Sequence, residues 1–221
     1  KDISVAGDIT SVDALALNAG LNISIDGQLV ASTIKATSLQ GTVSQSGSMS
    51  ATDAITVSAE DGAVTLTGDL TGGSVLVTAT GGDLTSSGNV MSTDTRVKFS
   101  SEGGKVTLSG NVAAATELEV LATNSGTIHV GADLTGSEVS LIADSVQLVG
   151  ANVKSTSGNV LINGGIQVIT ETMKVSGQTS LVSADELVIR SETGVAQIYL
   201  ENANLNLIAA GDMSLLSKID G

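Results

Sequence analysis

The chain has no cysteine, no proline and no tryptophan, and only one phenylalanine, one tyrosine and one histidine in 221 residues. Each absence narrows the reading. Without cysteine there are no disulfides and no thiolate metal sites, a composition that suits an exported bacterial protein as well as a cytosolic one. Without proline nothing forbids uninterrupted strand ladders, because every residue can donate its N–H. A globular core normally takes much of its volume from large rings. With Phe99 and Tyr199 the only aromatics, the core must be made of Val, Ile, Leu and Ala, which suits a narrow stacked interior. A single histidine, His129, leaves no His-based triad and no multi-His metal site. No apolar run is long enough to span a bilayer. The chain starts at Lys1 without an initiator Met or a signal peptide, and reads as a mature fragment or an excerpt.

Positive charge is also scarce. Twenty-three acidic residues face nine basic ones, for a net charge of −14. Nucleic-acid binding needs basic patches, and docking on an anionic membrane needs them too. The acidity reads as a soluble, self-repelling surface.

What the chain has in abundance is repetition. One cassette runs from Ile55 (Ile-Thr-Val-Ser-Ala-Glu-Asp-Gly-Ala-Val-Thr-Leu-Thr-Gly68-Asp-Leu), the next from Val75 to Val90, and a third from Val97 to Val112. Their first strands can be followed through Leu15, Ile34, Ile55, Val75, Val97, Leu118, Val139 and Val160. Apolar and polar residues alternate, as in a half-buried strand. A second strand follows a corner (Ala63-Val-Thr-Leu, Lys105-Val-Thr-Leu, Thr127-Ile-His-Val, Ser145-Val-Gln-Leu), and a short third element follows the next corner (Asp69-Leu70, Asn89-Val90, Asn111-Val112). A fixed period near 20 residues marks a solenoid whose rungs cannot bury their apolar faces alone. The expectation is an all-β, single-stranded parallel β-helix of about ten rungs of ~20–21 residues, with three short strands per rung.

The corners carry glycine with Asp or Asn. Sharp corners are expected to use positive φ, which glycine adopts freely and Asn or Asp tolerate. One corner column reads Asp8, Gln28, Ser48, Asp69, Asn89, Asn111, Asp133, Asn152. No two charged members are adjacent, and its Asn neighbours could form amide ladders. It reads as a structural column. The glycine-rich nonapeptide of calcium-binding β-rolls is absent.

The rhythm divides the chain into regular repeats over 1–165, an irregular rung or insertion at 166–186, and continuing rungs over 187–221. The next clear first strand after Val160 is Leu187-Val-Ile-Arg. If any part bears a binding surface, the 166–186 excursion is the best candidate, since solenoid insertions gather on one face.

The cassettes Leu15 to Gly27 and Ile55 to Leu70 resemble the degenerate repeats of the filamentous haemagglutinin family of two-partner-secreted bacterial exoproteins, Leu-x-Leu-x-Ala-x-Gly-x-Val-x-Leu-x-Gly-x-Leu. The family's amino-terminal secretion domain and Asn-Pro-Asn type motifs are not present, so this would be part of the repetitive shaft. The resemblance implies a right-handed helix, export across the outer membrane to the cell surface or medium, and a role as adhesin or structural stalk. It carries over no functional residues.

Chemical constellations are missing. His129 lies between Ile128 and Val130, which alternation points inward, so its ring should point outward as a surface residue. Carbohydrate lyases and hydrolases need clustered carboxylates and aromatic platforms for sugar, whereas the acidic residues here look scattered, with no carboxylate pair fixed by the repeat. Thr65-Leu-Thr67 resembles the pairs of flat ice-binding arrays. The matching pairs are Thr85/Ser87 and Thr107/Ser109, with nothing equivalent over Thr127–Val130. Phosphate loops need a following helix, and none is predicted. The sequence therefore predicts no catalytic, cofactor-binding or metal residues, no cofactor, and a non-enzymatic shaft segment of an extracellular or cell-surface adhesin or fibre. Its partners would be neighbouring repeats or subunits stacked end to end. The alternatives are lateral binding of a receptor or glycan, a self-assembling filament subunit, or a carbohydrate-active β-helix enzyme.

Overall fold

The computed structural model describes residues 1–149 and 151–169 continuously, with side chains through residue 163 except at 150 and 159; beyond that it describes separate strand segments from Thr172–Ser176 to Lys218–Asp220 in their backbone. Among the described residues every regular element is a strand, and every ladder is parallel.

The strands stack as a solenoid of about eight turns, slightly fewer than the spacing suggests. One rung shows the plan: Val97–Glu102, Lys105–Leu108 and Val112–Ala113. Each strand pairs with its counterpart one rung before and one rung after, not with its sequence neighbour. Parallel pairing requires this, because the chain must travel once around before it can lie beside itself in the same direction. The step of 19–22 residues is the length of that circuit.

Alternation decides what lies inside. In Val97–Glu102 the burial alternates from Val97 inward to Lys98 half-exposed, then Phe99 inward. In-register pairing turns single inward residues into columns. One column runs Leu17, Ala36, Val57, Val77, Phe99, Val120, Leu141, Ile162. Another, from the second strands, runs Ile25, Gln45, Leu66, Ser86, Leu108, Val130, Leu148. The eight core residues that alternation singles out around Phe99 (Val64, Leu66, Val75, Val77, Val97, Phe99, Val106, Leu108) are all 0 % exposed and belong to one cluster. Among the described residues Phe99 is the largest fully buried side chain. It sits one rung after Ser86, the smallest member of the facing second-strand column.

The corners differ from expectation in their physical cause. Among the described residues, positive φ occurs at Gly103 (79°), Asn124 (55°) and Ser125 (67°), and the glycine columns do not use it. They exist because backbone packs on backbone. A Cβ on Gly47 would overlap the Gly27 carbonyl, one on Gly68 the Gly47 carbonyl, one on Gly88 the Gly68 carbonyl, and one on Gly110 the Gly88 carbonyl. A second glycine column, Gly41, Gly62, Gly82, Gly104, is closed by the same kind of contact. A glycine here gives each rung room to seat at strand spacing on the one before.

The first-strand corner is held to small residues for the same reason. Ala19, Ser38, Ala59, Ala79, Ser101 and Ala122 stack in register. The two buried serines also satisfy corner backbone: Ser38 Oγ donates to the Leu21 carbonyl and accepts from Gly41 N–H, and Ser101 Oγ donates to the Gly82 carbonyl at 3.0 Å. Among the described residues two polar atoms remain without a protein partner inside: Gln45 Oε1 and Ser86 Oγ.

The irregular rung expected over 166–186 includes residues 170, 171, 177, 178, 185 and 186, which lie outside the described residues. Its strand segments pair in parallel with the preceding rung. Leu187–Arg190 pairs with Ile166–Ile169, which itself follows Val146–Val149. Leu187 therefore continues the second-strand column, where the spacing had suggested a first strand. First and second strands alternate alike, so period alone does not distinguish them.

Candidate functional site

Three surface features could carry function: the corner Asx columns, the outward faces of the strands, and the charged residues on them.

The column that begins at Asp8 is a hydrogen-bond ladder running from side chain to backbone. Asp8 Oδ1 accepts Gln28 N–H at 2.8 Å, Asp69 Oδ1 accepts Asn89 N–H at 2.8 Å, and Asn111 Oδ1 accepts Asp133 N–H at 3.1 Å. Asn89 Oδ1 accepts Asn111 N–H at 3.3 Å, where an amide ladder between the two side chains was expected. A side-chain amide does reach across once, from Asn152 Nδ2 to Asp133 Oδ1 at 2.7 Å. The reason is geometric: each Asx stands just before a strand, beside the next rung's first N–H, and an Asx oxygen readily caps such a group.

A second Asx column, at the corner before the second strand, was not anticipated. Asp2 Oδ1 accepts Asn22 N–H at 2.9 Å, Asn22 Oδ1 accepts Thr42 N–H at 3.0 Å, and Asp83 Oδ1 accepts Lys105 N–H at 2.7 Å. Its sequence signal is broken by Ala63 and Lys105, which explains why it escaped notice. Both columns use their carboxylates for rung-to-rung clamping. Among the described residues no group of three or more His, Asp or Glu is placed to hold a metal ion.

His129 points outward, between buried Ile128 and Val130, and is half-buried. Its Nδ1 lies 2.7 Å from Gln147 Oε1 on the next rung. The ring continues a column of outward polar residues, Ser24, Ser44, Thr65, Thr85, Thr107, His129, Gln147. The hydroxyl pairs Ser44/Ser46, Thr65/Thr67, Thr85/Ser87 and Thr107/Ser109 thus stack over four consecutive rungs, and His129 ends the run.

Carboxylates are not wholly scattered. Glu117 and Glu138 are register partners on the outer side of the first strands. Nearby, Lys98 Nζ and Glu119 Oε2 form an ion pair at 2.8 Å, again between register partners. A shallow groove of about 250 Å³ opens beside the two glutamates, lined by Glu117, Glu138, Val139, Ser140 and Leu161. Among the described residues no helix is long and apolar enough to cross a membrane.

Comparison with protein-family models, curated proteins and solved structures finds no match to the chain.

Proposed function

We propose that the chain is a non-enzymatic shaft segment of a secreted or cell-surface bacterial fibre or adhesin. The observation that carries this reading is the sameness of the rungs. Core columns follow the axis from Ile23 to Val160 with polar breaks at Gln45 and Ser86, stacked glycines run from Gly27 to Gly110, and the corner Asx ladder recurs from Asp8 to Asn152. Such a fold builds length, since each added rung lengthens the rod by about 4.8 Å. At about eight turns the rod measures roughly 40 Å on that spacing. The filamentous haemagglutinin-like cadence of Leu15 to Gly27 and Ile55 to Leu70 agrees with a stalk, and an excess of acidic residues suits an exposed rod that must not clump sideways.

The reading also names the partners. Ile3–Val5, Ile9–Thr10 and Leu15–Ala19 each pair on one side only, with the rung that follows. Ile3, Ile9 and Leu15 are only partly buried at that end of the core. An open edge of this kind templates further strands. The partners this reading calls for are neighbouring repeats or subunits stacked end to end on such an edge.

Sedimentation velocity over a concentration series tests the stacking. The isolated chain should associate end to end as concentration rises. A monomeric rod at every concentration would contradict an open stacking edge.

A further inference from the structure

We propose that the outer first-strand face over residues 117–163 is a docking surface for a basic, partly apolar extended peptide segment of another protein. This goes beyond a shaft role and stands whether or not that role holds.

The outward positions of the first strands change character along the rod. In the earlier rungs they read Lys35/Thr37, Thr56/Ser58, Leu76/Thr78 and Lys98/Ser100. In the later rungs they read Glu119/Leu121, Ser140/Ile142 and Leu161/Asn163, with one aliphatic residue in each rung. Leu121 and Ile142 are register partners, and Leu161 stands one rung on from Ser140, diagonal to Ile142. All three point away from the core, opposite buried Val120, Leu141 and Ile162, and remain part-exposed. Leu121 and Ile142 stand about 4.8 Å apart, and the diagonal from Ile142 to Leu161 is about 7–8 Å, within reach of long side chains, so the three border one small apolar area. A contiguous apolar patch with a polar rim is the usual mark of a contact surface.

The rim on this face is largely acidic, with exposed Arg96 standing one rung before Glu117. Glu117 and Glu138 stack in register at one margin, and exposed Asp144 lies at the other. Glu119 has its counter-ion in Lys98, whereas the ion-pair geometry of the described residues gives none to Glu117 or Glu138. Two like charges held one rung apart destabilise a ladder slightly, and a cation between them would relieve that. The groove beside them has room for such a group and leads onto Leu161.

These features select the occupant by charge complementarity. A second copy of this chain, also at −14, would bring the wrong sign. Nucleic acid would be repelled. A sugar would want an aromatic platform, and on the face over 117–163 there is no Phe, Tyr or Trp, the ring of Phe99 being buried in the core. A segment alternating Lys or Arg with aliphatic residues matches both parts: its cations meet Glu117 and Glu138, and its apolar side chains cover Leu121, Ile142 and Leu161.

The test uses the full chain and two synthetic octapeptides, one alternating Lys and Leu and one alternating Lys and Ser, with affinity read by fluorescence anisotropy at low and at 0.5 M salt (roughly 4 Å of screening length). The Lys-Leu peptide should bind at least tenfold tighter than Lys-Ser, and added salt should weaken it. Glu117→Gln with Glu138→Gln should cost about tenfold, and Leu121→Thr with Ile142→Thr should bring Lys-Leu down to the Lys-Ser level. The control pair Glu60→Gln with Asp61→Asn removes the same net charge from an exposed corner far along the rod, and should change little. Equal losses from the two charge-neutralised variants, or no preference for Lys-Leu, would overturn the proposal. The Gln pair only removes a repulsion, so it keeps the test decisive if the Thr pair fails to fold.

Discussion

The Asp69 carboxylate accepts the backbone N–H of Asn89, the residue one rung on, at 2.8 Å. In the opposite direction the Asp69 carbonyl accepts Met49 N–H from the rung before. One residue thus ties three consecutive rungs at a corner where the ladder would otherwise lose its first bond. Asp69→Ala removes the acceptor and should cost about 1 kcal/mol, the ordinary net value of such a bond. Asp69→Asn keeps an acceptor oxygen in place and should cost less than half of that. Chemical denaturation of the two variants checks this. Equal losses would mean that charge, not the bond, matters.

Three glycines separate the possible roles of that residue. Gly88→Ala drives a methyl group into the Gly68 carbonyl and should cost on the order of 2–3 kcal/mol, as overpacking does. Gly103→Ala meets no atom within 4 Å but must hold φ at +79°, for about 1–2 kcal/mol. Gly7→Ala meets neither obstacle and should fall within about 0.5 kcal/mol of the parent. Thermal unfolding should rank them in that order. A Gly88→Ala protein as stable as Gly7→Ala would contradict the close seating of the rungs.

Phe99→Ala empties the one aromatic side chain described in a core built mainly of aliphatic residues. The expected loss is about 3–5 kcal/mol, the range for buried Phe truncations. A loss under about 1 kcal/mol, the level of surface substitutions, would place the ring outside the core.

Ser86 has the opposite sign. Its Oγ is buried without a protein partner, between Leu66 and Leu108 of neighbouring rungs. Ser86→Ala deletes the stranded hydroxyl at almost unchanged volume and should raise stability, by about 1 kcal/mol on the scale of unpaired buried polar groups. A lowered melting temperature would show that the hydroxyl has a partner after all.

Much of this was legible in the sequence because a solenoid is a local code repeated. The inward set around Phe99 follows from alternation alone, and the first-strand stations from Leu15 to Val160 follow from spacing. What escaped depends on contacts between rungs, which no single cassette displays. Glycine at 47, 68, 88 and 110 looked like a torsional requirement but is a steric one. The Asp2–Asn22 and Asp83–Lys105 clamps are interrupted by Ala63, so their column has no continuous signature. Glu117 and Glu138 lie 21 positions apart and become neighbours only once register is known. Leu187 shows the limit of periodicity, since either strand class would carry its alternation.

The central claim is that the rungs are interchangeable units of one stack, and whole-rung deletion tests it most directly. Removing residues 75–96 takes out one full circuit and brings Val97 into the place of Val75 beside Ile55, with core, glycine and Asx columns still aligned. Removing 75–85 deletes half a circuit and turns every later side chain against the wrong column. The account predicts that the first variant folds, melts within a few degrees of the parent, and shows by small-angle scattering a rod shorter by about 4.8 Å, while the second does not fold. Loss of folding in the whole-rung variant, or equal tolerance of both deletions, would contradict it.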